Sequence, residues 1–317
     1  MRQNHILPKW LWFRDYNSFG FIIIKSSFLL NLGFLRTEKV EMKINQIVLA
    51  LVLSCCFGTL LAQHPEILKS KAPFAIGEIL EIHSKILDEN RILNIYLPQG
   101  YSPDSAKTYP VIYLLDGSKD EDFIHIAGLV QFGSFSWINM LPESIVVGIA
   151  NIDRERDFTY PTNNPKLKED FPTTGSSAKF IQFIASELQP YIDQAYNTRA
   201  SKTLIGQSLG GLLASEILLK HPEMFDNYII VSPSLWWDDE SLLKFAPLPN
   251  LSEKSIYVAV GKEGEIMERT AKELYEKLKP AQPDTNKLHF RFLEAHNHGD
   301  ALHQAVYYAF ESLFKAQ

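Results

Sequence analysis

Two nearly continuous apolar runs, YPVIYLL at 109–115 and SIVVGIA at 144–150, constrain this chain more than any other feature. Side chains on a strand alternate between the two faces of a sheet, so a strand that is apolar on both faces has to be covered on both. Such strands belong to the buried centre of a parallel sheet. KTLIG (202–206), NYIIVSPS (227–234), SIYVAVG (255–261) and KLHFRFLEA (287–295) read as further strands, and ENRILNIYLPQGY (89–101) as an earlier one. Between them lie helical patterns. SSAKFIQFIASELQPYIDQAY (176–196) places Phe180, Ile181, Ile184 and Leu188 on one face, and LGGLLASEILLKH (209–221), TAKELYEKLK (270–279) and ALHQAVYYAFESLF (301–314) follow. Strands alternating with helices predict an α/β fold, a mostly parallel central sheet with helices on both faces. Ligands in such sheets bind beyond the carboxyl ends of the strands, which directs attention to the residues after Gly117, Gly206, Ser234, Gly261 and Ala295.

Hydrophobic residues make up 46% of the chain and charged ones 21%, enough apolar material for a sizeable core and too little charge for a disordered one. No linker, low-complexity tract or repeat follows Gln63, so residues 64–317 read as one domain. The formal net charge of −6, with Lys and Arg scattered, gives no electrostatic basis for binding nucleic acid or an anionic membrane surface.

The segment from Met42, MKINQIVLALVLSCCFGTLLAQH, has the layout of a signal peptide, with Lys43, an apolar run from Ile47 and a small residue at Ala62 for cleavage. Residues 42–63 are therefore expected to direct export, and 1–41 to be an upstream extension of the reading frame. The run is short for a membrane span, so no span is expected in the mature protein. VLSC, ending at Cys55, resembles a lipoprotein cleavage box and opens lipid anchoring as an alternative. Cys55 and Cys56 are the only cysteines, so the mature domain would have no thiol nucleophile and no Cys-based metal site.

At the end of KTLIG stands Gly206-Gln207-Ser208-Leu209-Gly210-Gly211, a G-x-S-x-G pattern leading directly into a helix. A serine on so tight a strand-to-helix turn has a strained backbone that lifts its hydroxyl clear of the sheet, and the flanking glycines permit the close approach. The pattern resembles the nucleophile elbow of the α/β-hydrolase fold, which is therefore the expected fold. The helix turns its first N–H groups toward the reaction centre, with Leu209 N–H as one oxyanion donor. A serine hydroxyl needs a base, and in this fold the histidine follows the last strand, with the acid after an earlier one. The last strand leads into His296-Asn297-His298-Gly299-Asp300. His298, in the loop before a glycine, is the preferred base over His296; His289 lies within the strand and His303 on the final helix. The acid comes from Gly261-Lys262-Glu263-Gly264-Glu265, with Glu263 favoured over Glu265.

With these residues in place, the chain resembles the esterase family that includes enterobactin-type siderophore esterases, feruloyl and acetyl-xylan esterases and S-formylglutathione hydrolases. The resemblance rests on YPVIYLLDG (109–117), NIDRERDFTYP (151–161), LIGQSLGG (204–211), SPSLWWD (232–238), GKEGEIM (261–267) and NHGD (297–300), and is greatest to the siderophore-esterase branch. It implies Ser208 as nucleophile, His298 as base, Glu263 as acid and the backbone N–H of Ser118 as second oxyanion donor. Where many members have GHSLGG this chain has Gln207, expected to lie beneath the elbow and to tune packing. The loop GKEGE is a residue shorter than usual, which leaves Glu263 against Glu265, or a Ser-His pair alone, open.

Trp236 and Trp237 follow a strand on the same edge, where one of the two indoles is expected to contact substrate. Arg154 lies after SIVVGIAN, where a guanidinium would grip a substrate oxygen; the competing reading is an ion pair of Arg154 or Arg156 with Asp157. No histidine spacing suggests a metal and no Gly-rich loop a nucleotide, so no cofactor is expected. The expected activity is hydrolysis of a small-molecule carboxylic ester through an acyl-enzyme, with a carbohydrate esterase or a catalytically silent binding protein as alternatives.

Overall fold

The apolar runs become the middle of an eight-stranded sheet in a computed structural model that describes residues 69–246 and 249–315. The segment read as a signal peptide, 42–63, and the extension 1–41 lie outside the described residues. In chain order the strands are β1 (Gly77–Ser84), β2 (Glu89–Tyr96), β3 (Tyr109–Leu114), β4 (Ile145–Ile149), β5 (Thr198–Gln207), β6 (Asn227–Val231), β7 (Ser255–Gly261) and β8 (Leu288–Leu293). Across the sheet they run β1-β2-β4-β3-β5-β6-β7-β8. β1 pairs antiparallel with β2, and β2 with β4. From β4 to β8 every pairing is parallel, as the continuous apolar runs require.

Helices cover both faces. They are α1 (Phe123–Gly133), α2 (Arg154–Phe158), α3 (Pro165–Asp170), α4 (Ser177–Phe183), α5 (Gln189–Ala195), α6 (Leu209–Lys220), α7 (Glu265–Leu278) and α8 (Ala301–Leu313); a π-helical turn, Ile184–Leu188, joins α4 to α5. The two-residue period of β3 sorts its side chains. Val111 and Tyr113 join the core under α4, α6 and α7, while Ile112 and Leu114 join the core under α1 and α8. Helix α6 buries eleven of its twelve residues, so neither rotation nor translation can move the residue at its head without opening the core.

Four elements escape the sequence patterns: β1, α1 and the short helices α2 and α3. β1 is an edge strand whose residues are largely exposed, so it carries no apolar signature. α1 contains Gly128 and Gly133, poor helix formers, and exposes Ile124 and Phe132, which blurs its apolar stripe. β5 also begins four residues before the predicted KTLIG segment, at Thr198.

The close approach of α6 to β5 depends on glycine. A Cβ on Gly206 would stand 2.4 Å from the Gly210 carbonyl oxygen, and one on Gly211 would stand 2.9 Å from that of Val231. These neighbours are backbone and cannot rotate aside. Gly206→Ala should therefore destabilise the protein by about 1–3 kcal/mol, the usual range for overpacking. Gly128→Ala, on an exposed helical position with nothing within 4 Å, should be neutral or stabilising by up to about 1 kcal/mol. Urea unfolding of the two variants checks the contrast; equal effects would show that the crossing is not the constraint.

Candidate active site

Ser208 has φ 60° and ψ −120°, a backbone conformation that non-glycine residues seldom adopt. The neighbours over-determine it: Ser208 N–H donates to Val231 O at 3.1 Å, and its carbonyl accepts from Leu212 N–H at 2.9 Å and Ser234 N–H at 3.0 Å. As first residue of α6, Leu209 carries an N–H with no intrahelical acceptor. The Ser208 hydroxyl lies 3.4 Å from Ser234 Oγ, and among the described residues no hydrogen bond joins it to a histidine.

After β8 the chain turns through His296–Asp300. His298 Nδ1 lies 2.5 Å from Glu263 Oε2, whereas His296 Nδ1 is buried with no partner. The structure thus pairs His298, not His296, with a carboxylate, and that carboxylate is Glu263; Glu265 is exposed in the first turn of α7. Glu263 is itself fixed, its side chain only 3% exposed. Its Oε1 accepts from Ser232 Oγ at 2.5 Å and from Gly261 N–H at 2.9 Å. Burial raises the pKa of this carboxyl, but the hydrogen bonds from His298 and Ser232, the attraction of His298 and the Gly261 N–H outweigh it and hold it below the usual value. Glu268 Oε1 accepts from the N–H groups of Glu263 and Gly264 at 3.0 and 2.9 Å, capping α7 and fixing the loop backbone. The sequence reading missed Ser232, although the serine of SPSLWW directly after β6 was a signal.

Beyond β3 the turn at Asp116-Gly117-Ser118 takes a left-handed conformation at Asp116, φ 54°. Ser118 N–H, the predicted second oxyanion donor, here donates to Glu121 Oε2 at 3.2 Å. Arg154 is partly exposed and ion-paired. Its Nε and Nη2 bind Asp116 Oδ1 and Oδ2 at 2.6 and 3.0 Å, and Nη2 also reaches the Gln207 carbonyl at 3.3 Å. These bonds brace the turn after β3 against the elbow through Asp116, a partner unweighed in the sequence. Asp157 is the partner of Arg156, at 2.8 Å, and of the buried Arg91, at 2.5 Å.

The two tryptophans divide. Trp237 is fully buried, its Nε1–H donating to Tyr160 O at 2.9 Å, and its expected contact with substrate is corrected to a place in the core. Trp236 is partly exposed and packs beside Phe171, ring centroids 6.0 Å apart. Gln207 also departs from expectation. Its side chain is not packed beneath the elbow but half-exposed, and Nε2 donates to the His298 carbonyl at 2.6 Å. Among the described residues no cluster of His, Cys, Asp or Glu has the arrangement of a metal site, and no helix is long and apolar enough to cross a membrane.

A family model described as putative esterase matches residues 84–316. The chain belongs to that family. This esterase is 32% identical over 215 residues to the ferri-bacillibactin esterase of Bacillus subtilis, covering 60% of this chain and 74% of the relative. A solved structure of the BES protein from Bacillus cereus shares its fold with a TM-score of 0.65 at 29% identity, covering 80% of this chain and all of that one. An IroE-like serine hydrolase from Shewanella oneidensis also gives 0.65, at 28% identity over 75% of this chain and 80% of its own. The esterase has the α/β-hydrolase fold, with its carboxyl-edge turns carrying Ser208, Glu263 and His298.

Because the folded state holds Glu263 below its ordinary pKa, the carboxylate stabilises the fold above the ordinary carboxylate range and loses that contribution as pH falls through it. The difference in Tm between wild type and Glu263→Gln should accordingly be largest near neutrality and shrink below about pH 4. A difference independent of pH would mean that the buried carboxylate is not held ionised by His298 and Ser232.

Proposed function

We propose that this esterase is a serine hydrolase that cleaves carboxylic esters through an acyl-enzyme, with Ser208 as nucleophile, His298 as base and Glu263 as the acid that orients it. The observation that carries the reading is the 2.5 Å contact of His298 Nδ1 with a buried Glu263, on the same sheet edge as the strained Ser208. With Nδ1 held by the carboxylate, the imidazole presents Nε2 as the free base. The Ser208 hydroxyl rotates about χ1, which moves Oγ from Ser234 toward the imidazole without moving the backbone.

Ser208 Oγ attacks the ester carbon while its proton passes to His298 Nε2. Leu209 N–H and Ser118 N–H receive the developing oxyanion, Ser118 exchanging its bond to Glu121 for it. The imidazolium returns the proton to the departing alcohol, and a water then repeats the sequence to release the acid. Glu263 stabilises the imidazolium, as its depressed pKa keeps it ionised.

The names of its relatives support siderophore lactones as the substrate class, and the surface of Trp236 and Phe171 offers a place for an aromatic acyl group. The export pattern at 42–63 supports action outside the cytoplasm.

Ser208→Ala should abolish hydrolysis of an activated aryl ester, a loss on the order of a million-fold in kcat, and leave folding intact. His298→Ala should be nearly as damaging and His296→Ala mild; a reversed ranking would move the base. Wild type should also show a burst of alcohol equal to the enzyme concentration whenever deacylation is the slower step.

Assayed in parallel on ferric catecholate trilactones, feruloyl esters and acetylated xylan, the protein should give its highest kcat/KM on the lactones. A preference for acetylated xylan would replace the substrate class and leave the chemistry in place.

A further inference from the structure

We infer that Gln207 is a positioning residue that ties the base to the nucleophile, holding the His298 loop over Ser208 through its side-chain amide. The inference rests on the esterase reading above. His298 stands on an exposed loop, its side chain 48% exposed. The other hydrogen bonds of 297–300 are local: Asn297 N–H to Asp300, Gly299 N–H to Asn297 Oδ1, Asp300 N–H to Asn297 O, and Ala301 N–H at the head of α8 to Asn297 O. Among the described residues two hydrogen bonds link His298 to the rest of the protein. One holds the ring, at Glu263; the other holds the backbone, where Gln207 Nε2 donates to the His298 carbonyl at 2.6 Å.

These anchors come from different strands. Glu263 belongs to the turn after β7 and reaches the nucleophile only indirectly, through Ser232 beyond β6, whose neighbours Val231 and Ser234 bond the Ser208 backbone. Gln207 is the residue immediately before Ser208, and its own backbone has no freedom: it is in register with Val231 of β6, and its carbonyl accepts from Arg154 Nη2. A side chain leaving this point is placed by the same backbone that places the Ser208 hydroxyl. The amide therefore sets the distance between the two reacting groups directly, through one side chain and one hydrogen bond.

Base placement matters only as the proton moves, so its loss should appear in kcat and not in substrate affinity. A displacement of about 1 Å in a reacting group costs up to about a hundredfold. Gln207→Met keeps the length and removes the donor. Gln207→Glu keeps the shape and sets a carboxylate against the His298 carbonyl. Gln207→His restores an N–H donor.

The test compares these variants with wild type and Ser208→Ala, by hydrolysis of an activated aryl ester and by the rate at which a fluorophosphonate probe labels the serine. Gln207→Met and Gln207→Glu are expected to lose about tenfold to a hundredfold in kcat, with KM within about twofold and labelling slowed in proportion. Gln207→His should recover most of the loss. Circular dichroism identifies any variant that fails to fold, and either donor-less variant alone suffices. A folded Gln207→Met or Gln207→Glu that turns over and labels like wild type overturns the tether while leaving the esterase reading standing, as does a loss confined to KM. A wild type that is neither active nor labelled removes the esterase reading, and the tether with it.

Discussion

Everything at the carboxyl edge of this sheet depends on one steric constraint, the crossing of α6 against the end of β5. The helix approaches so closely that Gly206 and Gly210 touch backbone to backbone. The residue between them is forced into φ 60°, ψ −120°, a conformation that costs of order 1–3 kcal/mol and persists only because its surroundings leave no alternative. Here the surroundings are the parallel pairing of β5 with β3 and β6 and the near-complete burial of α6. Stability in the core thus maintains strain at the edge, and the strain is what exposes one hydroxyl.

The same edge is braced electrostatically from the β4 side. Arg91, fully buried on β2, binds Asp157 at 2.5 Å, and Arg156 joins Asp157 to Glu89. These pairs fix α2, whose first residue is Arg154, and Arg154 in turn clamps Asp116. A buried ion pair adds little net stability over an apolar replacement, but losing one partner strands the other charge at a cost of about 3–5 kcal/mol. Such a network is better understood as fixing geometry. It transmits the position of the antiparallel side of the sheet to the turn that holds Ser118.

How much of this is legible in the sequence follows from what each feature depends on. The parallel strands and α6 were readable because apolar periodicity is local, and Ser208 because strand, glycines and helix sit within a dozen residues. His298 was placed by its order after the last strand, and Glu263 only by preference. What separates Glu263 from Glu265 is a contact with His298, thirty-five positions away in the chain, and no local pattern carries that. Arg154 was placed on the correct edge, but its pairing with Asp116 was not legible, since Asp116 lies thirty-eight residues earlier. Trp236 and Trp237 are adjacent and chemically identical in sequence, and burial alone assigns one to the core. Gln207 was legible as a departure from the usual histidine but not in its consequence, because the direction of a half-exposed side chain is set by the strand end it leaves.

These misses share a physical cause, which lies in the turns. Among the described residues, Asp116, Ser208 and Ser232 are non-glycine residues with φ of 54°, 60° and 45°, and each stands just beyond the carboxyl end of β3, β5 or β6. Each turn aims a polar group: Asp116 receives Arg154, Ser208 presents its hydroxyl, and Ser232 holds Glu263. Left-handed backbone in residues with side chains is uncommon, and three neighbouring strands ending in it cannot be attributed to propensity. The side chains cannot be glycine because each is used, and the backbone cannot relax because each turn is pinned to its neighbour. A sheet built from local apolar patterns therefore ends in a row of turns set by contacts between strands, and the candidate site draws on that row.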